Sequence, residues 1–198
     1  MAREGQALAL NSEHLRLFND YIDGTKHYVR DKAIFLMTLR AGMRIGSVAQ
    51  ITLSDILDTS TKPIHTSTKV KEVAILRKSI TKGGKTITAY LSHPELREAL
   101  NEWLKIRPKC KVDNLFVSQK RTAFSPNSMS QLMLKHYQRA GIEGASSHSG
   151  RISFCTALLK NKVDIVAVSK VMGHSSVLTT QRYVHHDQIE LSNVVRDL

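Results

Sequence analysis

The sequence predicts a mainly helical α+β domain that contains one small antiparallel sheet. Several segments repeat apolar residues at the spacing of one helix face, and two short segments rich in Val, Ile and Thr flank a Gly-Gly turn. The chain has 198 residues, of which 41% are hydrophobic, and this is enough for the core of one ordinary domain. No internal repeat or low-complexity block divides the sequence, so we expect no second domain.

The first elements are predicted from capping residues and apolar spacing. Residues 1–11 carry no periodicity and are expected to form a flexible segment. Asn11 or Ser12 then caps a short helix in LNSEHLRLFNDYI. The next segment, DKAIFLMTLRAGM, is apolar on nearly every side, so we expect a buried helix that ends near Gly42.

The rest of the chain predicts a hairpin followed by helices. Residues 73–80 and 86–91 flank the turn TKGGK and predict a β-hairpin. HPELREALNEWLKI and SMSQLMLKHYQRAG each place their apolar residues on one stripe, as amphipathic helices do. Three further helices are expected at about residues 149–160, 165–172 and 176–183.

The chain is strongly basic, with a formal net charge of +12 and a pI of about 9.9. Such a balance favours a polyanionic partner through counterion release, and nucleic acid is the first candidate. No apolar run approaches the roughly 20 residues of a membrane-spanning helix and no secretory leader is recognised, so we expect a cytosolic protein associated with the nucleoid. Cys110 and Cys155 have no CxxC spacing, which indicates neither a disulfide framework nor a thiolate zinc site.

Three residues near predicted helix ends are candidates for binding an anion. His148 and Arg151 lie three positions apart at the start of a predicted helix, where free N–H groups and the helix dipole favour a negative charge. Arg44 follows the buried helix and requires a partner there, which is either a structural group or a phosphate. For the His148 and Arg151 pair alone, a solvent-exposed helix face is the favoured explanation.

Lys82, His174 and Tyr183 are further candidates that also have ordinary structural explanations. Lys82 lies at the hairpin tip, where a basic side chain either reaches into a groove or stays in solvent. His174 precedes the last predicted helix, and Tyr183 near its end is typical of a packing residue with a solvated hydroxyl. His174, His185 and His186 form no recognised chelating motif, so we expect no metal site.

Taken together and in order, these six candidates resemble the signature of the tyrosine recombinase (phage integrase) family. GMRIGSV is similar to the family's G-L-R-I-S-E-L, TKGGKT matches its hairpin lysine, and HSGRISFCTALL resembles H-x-L-R-H-S-F-A-T-x-L-L. VMGHSSVLTTQRYVH closely follows L-G-H-S-S-x-x-T-T-x-x-Y-x-H. The resemblance implies a helical catalytic domain of tyrosine recombinase type over residues 12–186, with a small three-stranded antiparallel sheet or hairpin.

The resemblance implies an enzyme that acts on double-stranded DNA. It would be a site-specific recombinase that cuts and rejoins DNA through a 3′-phosphotyrosyl intermediate, in integration, excision or inversion of a mobile element or similar segment. No cofactor and no metal are implied. The implied catalytic residues are Tyr183, Arg44, Lys82, His148, Arg151 and His174.

The resemblance also implies an assembly on DNA. In the family the segment beyond the tyrosine docks onto a neighbouring protomer, and residues 187–198 are predicted to be such a protomer-exchange tail. We therefore expect a dimer or tetramer on DNA, with an accessory DNA-bending protein as a further candidate partner and no membrane partner.

The sequence departs from the family pattern in two places and leaves a question of length. Ser47 stands where the family usually has Glu or Asp, so the support of Arg44 is expected to differ, and Ile152 replaces a frequent histidine. Family members usually carry an N-terminal DNA-clamp domain, whereas about 27 residues precede the first predicted buried helix. The chain is therefore either a catalytic-domain-only member, as the short fimbrial-switch invertases are, or a piece of a longer protein.

Two other functions stay open at the level of the sequence. One is relaxation of supercoiled DNA in the manner of a type IB topoisomerase, with the same residues and no strand exchange. The other is a catalytically weak or silent DNA-binding or accessory protein, which Ser47 and the expected lack of a clamp domain favour. A metal-dependent nuclease is disfavoured because the sequence offers no paired carboxylates.

Overall fold

The computed structural model describes residues 7–58, 69–81, 84 and 86–184. Within these ranges the chain forms nine α-helices and one two-stranded sheet, which confirms the predicted mainly helical α+β class. The helices are α1 (Ser12–Ile22), α2 (Tyr28–Leu39), α3 (Ile45–Gln50), α4 (Leu53–Ile56), α5 (Pro94–Ile106), α6 (Pro126–Arg139), α7 (Ser149–Lys160), α8 (Ile165–Val171) and α9 (Val177–Gln181). The strands are β1 (Val73–Leu76) and β2 (Ile87–Tyr90).

Helix α1 begins where the sequence predicts, with Asn11 as its cap. The Asn11 side chain accepts a hydrogen bond of 2.8 Å from the backbone N–H of His14, which satisfies one of the free donors of the first turn. The backbone N–H of Leu8 donates to the Gly144 carbonyl, and that of Leu10 donates to Ser153 Oγ at 2.7 Å. The backbone is thus hydrogen-bonded to the rest of the fold from Leu8 onward, ahead of the predicted domain boundary at residue 12.

Helix α2 is the buried central helix that the apolar segment predicts. It packs against α5 on one side and α7 on another, and every residue from Ala33 to Leu39 is buried. The chain leaves α2 through Gly42, which has a φ of +62°. A Cβ at Gly42 would meet the Phe154 ring at 2.3 Å, so both the left-handed conformation and the close approach require glycine.

A buried polar network joins α2 to α6. Asp31 accepts hydrogen bonds from Arg30 at 2.7 Å and from His136 at 3.0 Å. Burial opposes ionisation of Asp31, but these hydrogen bonds outweigh it and lower the pKa of the carboxyl below its ordinary value. His136, which the sequence places on an apolar stripe, is therefore buried as a polar partner.

The predicted β-hairpin is present in a shorter form. β1 and β2 pair antiparallel, with Val73 opposite Tyr90 and Leu76 opposite Ile87. The first strand was predicted to extend to residue 80, but it ends at Leu76, and Lys78–Ile80 forms a single 3₁₀ turn that buries Ile80 in the core. The sheet has two strands in the described part of the chain, not the three implied by the resemblance. Lys82 at the hairpin tip lies outside the described residues.

The short helices α3 and α4 were not predicted. Thr52 and Asp55 form a capping box at the start of α4, with the Asp55 carboxylate accepting from the Thr52 N–H at 2.9 Å, and this spacing is a signal that the sequence carries. Helix α3 begins immediately after Arg44 and packs against α6, and a Cβ at Gly46 would lie 3.5 Å from Pro126. Arg44 is therefore fixed at a helix start instead of in a free loop.

The later helices lie within two residues of their predicted bounds. Helix α9 covers Val177–Gln181 instead of residues 176–183, with the Ser176 side chain accepting from the Leu178 N–H as its cap. Tyr183 consequently lies in the turn that follows the helix. In the described ranges, no helix is long and apolar enough to cross a membrane.

Replacing Gly150 by alanine is expected to destabilise the contact between α2 and α7. A Cβ at Gly150 would lie 2.2 Å from Thr38 Oγ1 and 3.3 Å from the backbone nitrogen of Leu39. Thr38 is buried and its hydroxyl donates to the Phe35 carbonyl at 2.7 Å, so it has little freedom to move. We expect a loss of about 1 to 3 kcal/mol in the free energy of unfolding, measured by urea titration.

The double variant Thr38→Ala with Gly150→Ala is the control for this prediction. It removes the clashing hydroxyl. The loss in unfolding free energy in the double variant should therefore be smaller than the sum of the losses in the two single variants. A Gly150→Ala protein as stable as the wild type would contradict the close approach.

Candidate active site

Two arginines from separate segments converge on the turn that precedes His174. Arg151, in the first turn of α7, donates to the carbonyls of Gly42 and Met172. Arg44, at the N-cap of α3, donates from Nη2 to the neighbouring carbonyl of Gly173 at 3.3 Å. The end of α2, the start of α3, the start of α7 and the end of α8 are thereby brought to one place.

Both arginines are held by neutral partners. None of the ion pairs in the described part of the chain includes Arg44 or Arg151. Burial, and then the charge of Arg44, lower the pKa of Arg151 to about 9, and burial lowers that of Arg44. Arg151 is only 7% exposed and still protonated at neutral pH. Two neighbouring positive charges whose partners among the described residues are carbonyls form a site that favours an anion.

The turn that carries His174 depends on a glycine. Gly173 has a φ of +57°, and a Cβ there would meet Ile87 Cδ1 at 2.5 Å. The His174 backbone N–H donates to the Ser169 carbonyl at 3.0 Å, which closes the end of α8. In this turn the carbonyls of Met172 and Gly173 accept hydrogen bonds from the two arginines, and the His174 imidazole follows directly in the chain.

Thr180 orients the His174 ring. The fully buried Thr180 places its Oγ1 2.9 Å from His174 Nδ1. With the Thr180 hydroxyl as donor, Nδ1 is the acceptor and Nε2 carries the proton. In this tautomer the Nε2–H of a neutral His174 is a donor that could bind an anion.

His174 is expected to titrate well below an ordinary histidine. Burial, followed by the charges of Arg151 and Arg44, lowers the pKa of its imidazole to about 4, compared with about 6.5 for an unperturbed histidine. An NMR titration of the protein should therefore find His174 neutral down to about pH 4. A midpoint near the unperturbed value would contradict the arrangement.

This pKa shift has a consequence for stability. The unfolded chain takes up a proton on His174 near its ordinary pKa, whereas the folded protein takes it up only near pH 4. The unfolded state binds more protons between these values, so His174 lowers stability as the pH falls through this window. In a His174→Gln variant, the fall in unfolding free energy with decreasing pH should be shallower.

Tyr183 lies between a small apolar cluster and His174. Its ring packs against the cluster of Cys155, Val168 and Met172 and stacks on the His174 ring, with centroids 6.4 Å apart and an angle of 28° between planes. Its backbone N–H donates to the Thr180 carbonyl at 3.0 Å. The half-buried ring is thus fixed beside the arginines and the histidine, as a packing residue and a nucleophile both require.

His148 lies at the N-cap of α7, three residues before Arg151, and is exposed. Its backbone N–H donates to Ser146 Oγ at 3.2 Å, and its Nδ1 lies 3.5 Å from Ser147 Oγ. Ser147 also contacts Ser130 of α6 at 2.8 Å. Four of the six predicted residues are linked by contacts or by mutual charge effects: Arg44, Arg151, His174 and Tyr183. His148 shares the start of α7 with Arg151, and Lys82 is outside the described part of the chain.

Some site residues were missed from the sequence. Thr180 had a signal, because it belongs to the threonine pair in LTTQRY, but the carbonyls of Gly42, Met172 and Gly173 have none. The support of Arg44 was expected to differ because Ser47 replaces the family's acidic residue, and the Ser47 hydroxyl donates to the Ile80 carbonyl at 2.6 Å. Within the described residues, no group of three or more His, Cys, Asp or Glu side chains is suited to hold a metal ion.

Comparisons with known proteins agree with this fold. The model of the phage integrase family matches residues 9–190. The tyrosine recombinase XerC of Caldanaerobacter subterraneus is 33% identical over 172 residues, which cover 84% of this chain and 44% of that protein. Among solved structures, the match to the XerA recombinase has a TM-score of 0.75 at 23% identity. It covers 98% of this chain and 66% of the XerA chain. The XerH recombinase bound to its difH substrate has a TM-score of 0.70 at 24% identity, covering 98% and 55% respectively.

The matched range includes the arginines, His174 and Tyr183. The chain belongs to the phage integrase family and contains its tyrosine recombinase catalytic domain. It spans about half the length of the curated relatives that it matches.

Proposed function

We propose that the chain is a site-specific DNA recombinase that breaks and rejoins DNA through a 3′-phosphotyrosyl intermediate on Tyr183. The observation that carries the proposal is the convergence of Arg44 and Arg151, without a carboxylate partner in the described residues, on the turn beside His174 and Tyr183. The named activity of the XerC relatives and the DNA-bound state of XerH support it.

In the proposed reaction, the Tyr183 hydroxyl oxygen attacks the scissile phosphorus. The bond from phosphorus to tyrosine forms, the bond to the 5′ oxygen breaks, and the 3′ end stays on the protein. Arg44 and Arg151 bind the non-bridging oxygens and offset the charge that accumulates in the transition state. His174 donates to the same phosphate. The phosphotyrosyl ester conserves the energy of the broken bond, so rejoining needs neither ATP nor a metal ion.

Two proton transfers complete the proposed step. His148 accepts the Tyr183 proton, and Lys82 gives a proton to the leaving 5′ oxygen, with both roles taken from the resemblance. A phenol with a pKa of about 10 is a poor nucleophile at neutral pH, so removal of its proton is necessary. Each transfer contributes about 10²- to 10⁴-fold to the rate.

The proposed reaction exchanges strands between DNA sites and requires more than one protomer. Residues 187–198 lie outside the described part and place Ile189, Leu191, Val194 and Val195 in a short tail. We propose that this tail joins protomers into a dimer or tetramer on double-stranded DNA, with an accessory DNA-bending protein as a further partner. Deletion of residues 187–198 should lower the mass of the DNA-bound assembly in light scattering, and an unchanged mass would contradict the tail's role.

A pool of nicked duplexes with a randomised core tests the function and selects the target sequence in the same experiment. The nick lets the short fragment beyond the cleavage point diffuse away, so the covalent adduct accumulates and survives denaturing washes. We expect adducts in EDTA that carry one enriched core sequence and leave a free 5′ hydroxyl. Adducts and relaxation of supercoiled plasmid without sequence preference would favour the topoisomerase alternative, and binding without adducts would favour a silent accessory protein.

A further inference from the structure

We infer that Thr180 is a positioning residue for adduct formation, because its hydroxyl selects the tautomer in which His174 donates a hydrogen bond to the scissile phosphate. The same residue holds the backbone of Tyr183, the proposed nucleophile, through its carbonyl. The inference rests on the proposed function, because it assigns Thr180 an effect on the rate of that reaction.

The contact between Thr180 and His174 is short and lies inside the fold. Thr180 belongs to α9, is fully buried and places its Oγ1 2.9 Å from His174 Nδ1. His174 precedes the same helix and is half-buried. Because Thr180 has no surface exposed to solvent, removal of its hydroxyl takes a hydrogen bond from Nδ1 that water is poorly placed to replace.

The two arginines make the choice of tautomer important. Burial, and then the charges of Arg151 and Arg44, lower the pKa of His174 to about 4, so the imidazole is neutral at neutral pH. A bound phosphodiester brings one negative charge to two guanidinium charges, so the surroundings of the ring stay positive. An imidazolium donates from both ring nitrogens, whereas a neutral imidazole donates from only one. The tautomer therefore decides whether His174 binds the phosphate.

The Thr180 hydroxyl makes this choice. When it donates to Nδ1, the proton of the imidazole is on Nε2, which is then the donor for the phosphate. If the hydroxyl instead accepted from Nδ1, Nε2 would carry a lone pair and would repel a phosphate oxygen. Only the first arrangement is compatible with the role of His174 in the proposed reaction, so the hydroxyl is the donor.

The main chain of Thr180 serves the nucleophile. Its carbonyl accepts the Tyr183 backbone N–H at 3.0 Å in the turn after α9, and the Tyr183 ring stacks on the His174 ring. The side chain of Thr180 thus holds the imidazole, and its carbonyl holds the tyrosine backbone. A substitution that removes only the hydroxyl changes the first contact and keeps the second.

Thr180→Val is expected to slow adduct formation by about 10- to 10²-fold at saturating DNA. Valine keeps the branched shape but has no hydroxyl, so the His174 ring takes either tautomer and a less fixed orientation. A displacement of about 1 Å in a catalytic group costs about 10²-fold, and removal of one donor to a developing charge costs about 10²- to 10³-fold. Thr180→Ser, which keeps the hydroxyl, should retain most of the rate. Denaturing gels of the selected nicked duplex measure the adduct.

A second measurement determines the tautomer and needs no substitution. Long-range proton–nitrogen NMR spectra distinguish a protonated ring nitrogen from an unprotonated one. At neutral pH we expect the wild type to carry the His174 proton on Nε2, and Thr180→Val to show a mixture of both tautomers. A wild-type proton on Nδ1 would overturn the inference. A purely structural role of Thr180 would leave the tautomer of Thr180→Val unchanged, and this result would overturn it as well.

Two controls separate this role from a general loss of packing. Thr179→Val removes a hydroxyl from the neighbouring, half-buried position of α9 and should leave the rate close to that of the wild type. In a His174→Gln protein, Thr180→Val should have little further effect, because the hydroxyl acts through the imidazole.

The outcomes distinguish the inference from the proposed function. If Thr180→Val forms the adduct at the wild-type rate, or slows it equally in the His174→Gln protein, the inference is overturned while wild-type adducts leave the proposed function standing. If the wild type forms no adduct on any duplex of the randomised pool, the proposed function fails and the inference with it.

Discussion

Replacing Tyr183 by phenylalanine is expected to abolish the covalent protein–DNA adduct and to leave DNA binding intact. The substitution removes the attacking oxygen and keeps the ring that packs on Cys155 and Met172 and stacks on His174. Arg44 and Arg151 form the arginine clamp of the proposed site. They do not depend on the tyrosine hydroxyl, because their hydrogen bonds go to backbone carbonyls. Denaturing gels of the selected nicked duplex measure the adduct, and mobility shift in the absence of denaturant measures binding.

The matched control is Tyr90→Phe, which removes an equivalent hydroxyl from an exposed position on β2. It should form the adduct at the wild-type rate. An undiminished adduct with Tyr183→Phe would show that another residue is the nucleophile. Loss of binding together with the adduct would show instead that the Tyr183 hydroxyl also contributes to DNA binding.

The elements that were predicted well are those determined by local patterns. The apolar segment of α2, the stripes of α5 and α6, and the cap at Asn11 each depend on residues a few positions apart, so periodicity is enough to locate them. The short helix α3 lacks such a pattern. Its position is set by packing against α6, and it is this packing that places Arg44 at a helix start.

The contacts that assemble the site depend on backbone atoms far apart in sequence. Arg151 reaches the Gly42 carbonyl across 109 positions, and Ser47 reaches the Ile80 carbonyl across 33. Because every residue has a carbonyl, no residue type marks the ones that are used. The ordered signature predicted which side chains belong to the site. It did not predict that the Ser47 hydroxyl would donate to the Ile80 carbonyl.

Arg151→Lys is expected to be the most damaging substitution that preserves charge. The guanidinium donates simultaneously to the carbonyls of Gly42 and Met172, and its planar fork also matches the oxygens of a phosphate. A lysine ammonium on a flexible stem does not span both carbonyls and has no bidentate face for the phosphate. We expect adduct formation on the selected duplex to fall by about 10²- to 10³-fold, the loss typical for removal of one donor to a developing charge.

Arg16→Lys, on the exposed face of α1, is the control and should leave the rate unchanged. The effect of Arg151→Lys should persist at saturating DNA, because the fork acts on the transition state as well as on binding. If saturating DNA restored the wild-type rate, Arg151 would contribute only to binding of the phosphate. A lowered melting temperature with a normal rate would instead limit Arg151 to joining the end of α2 to the turn before His174, and would leave Arg44 as the principal cation of the clamp.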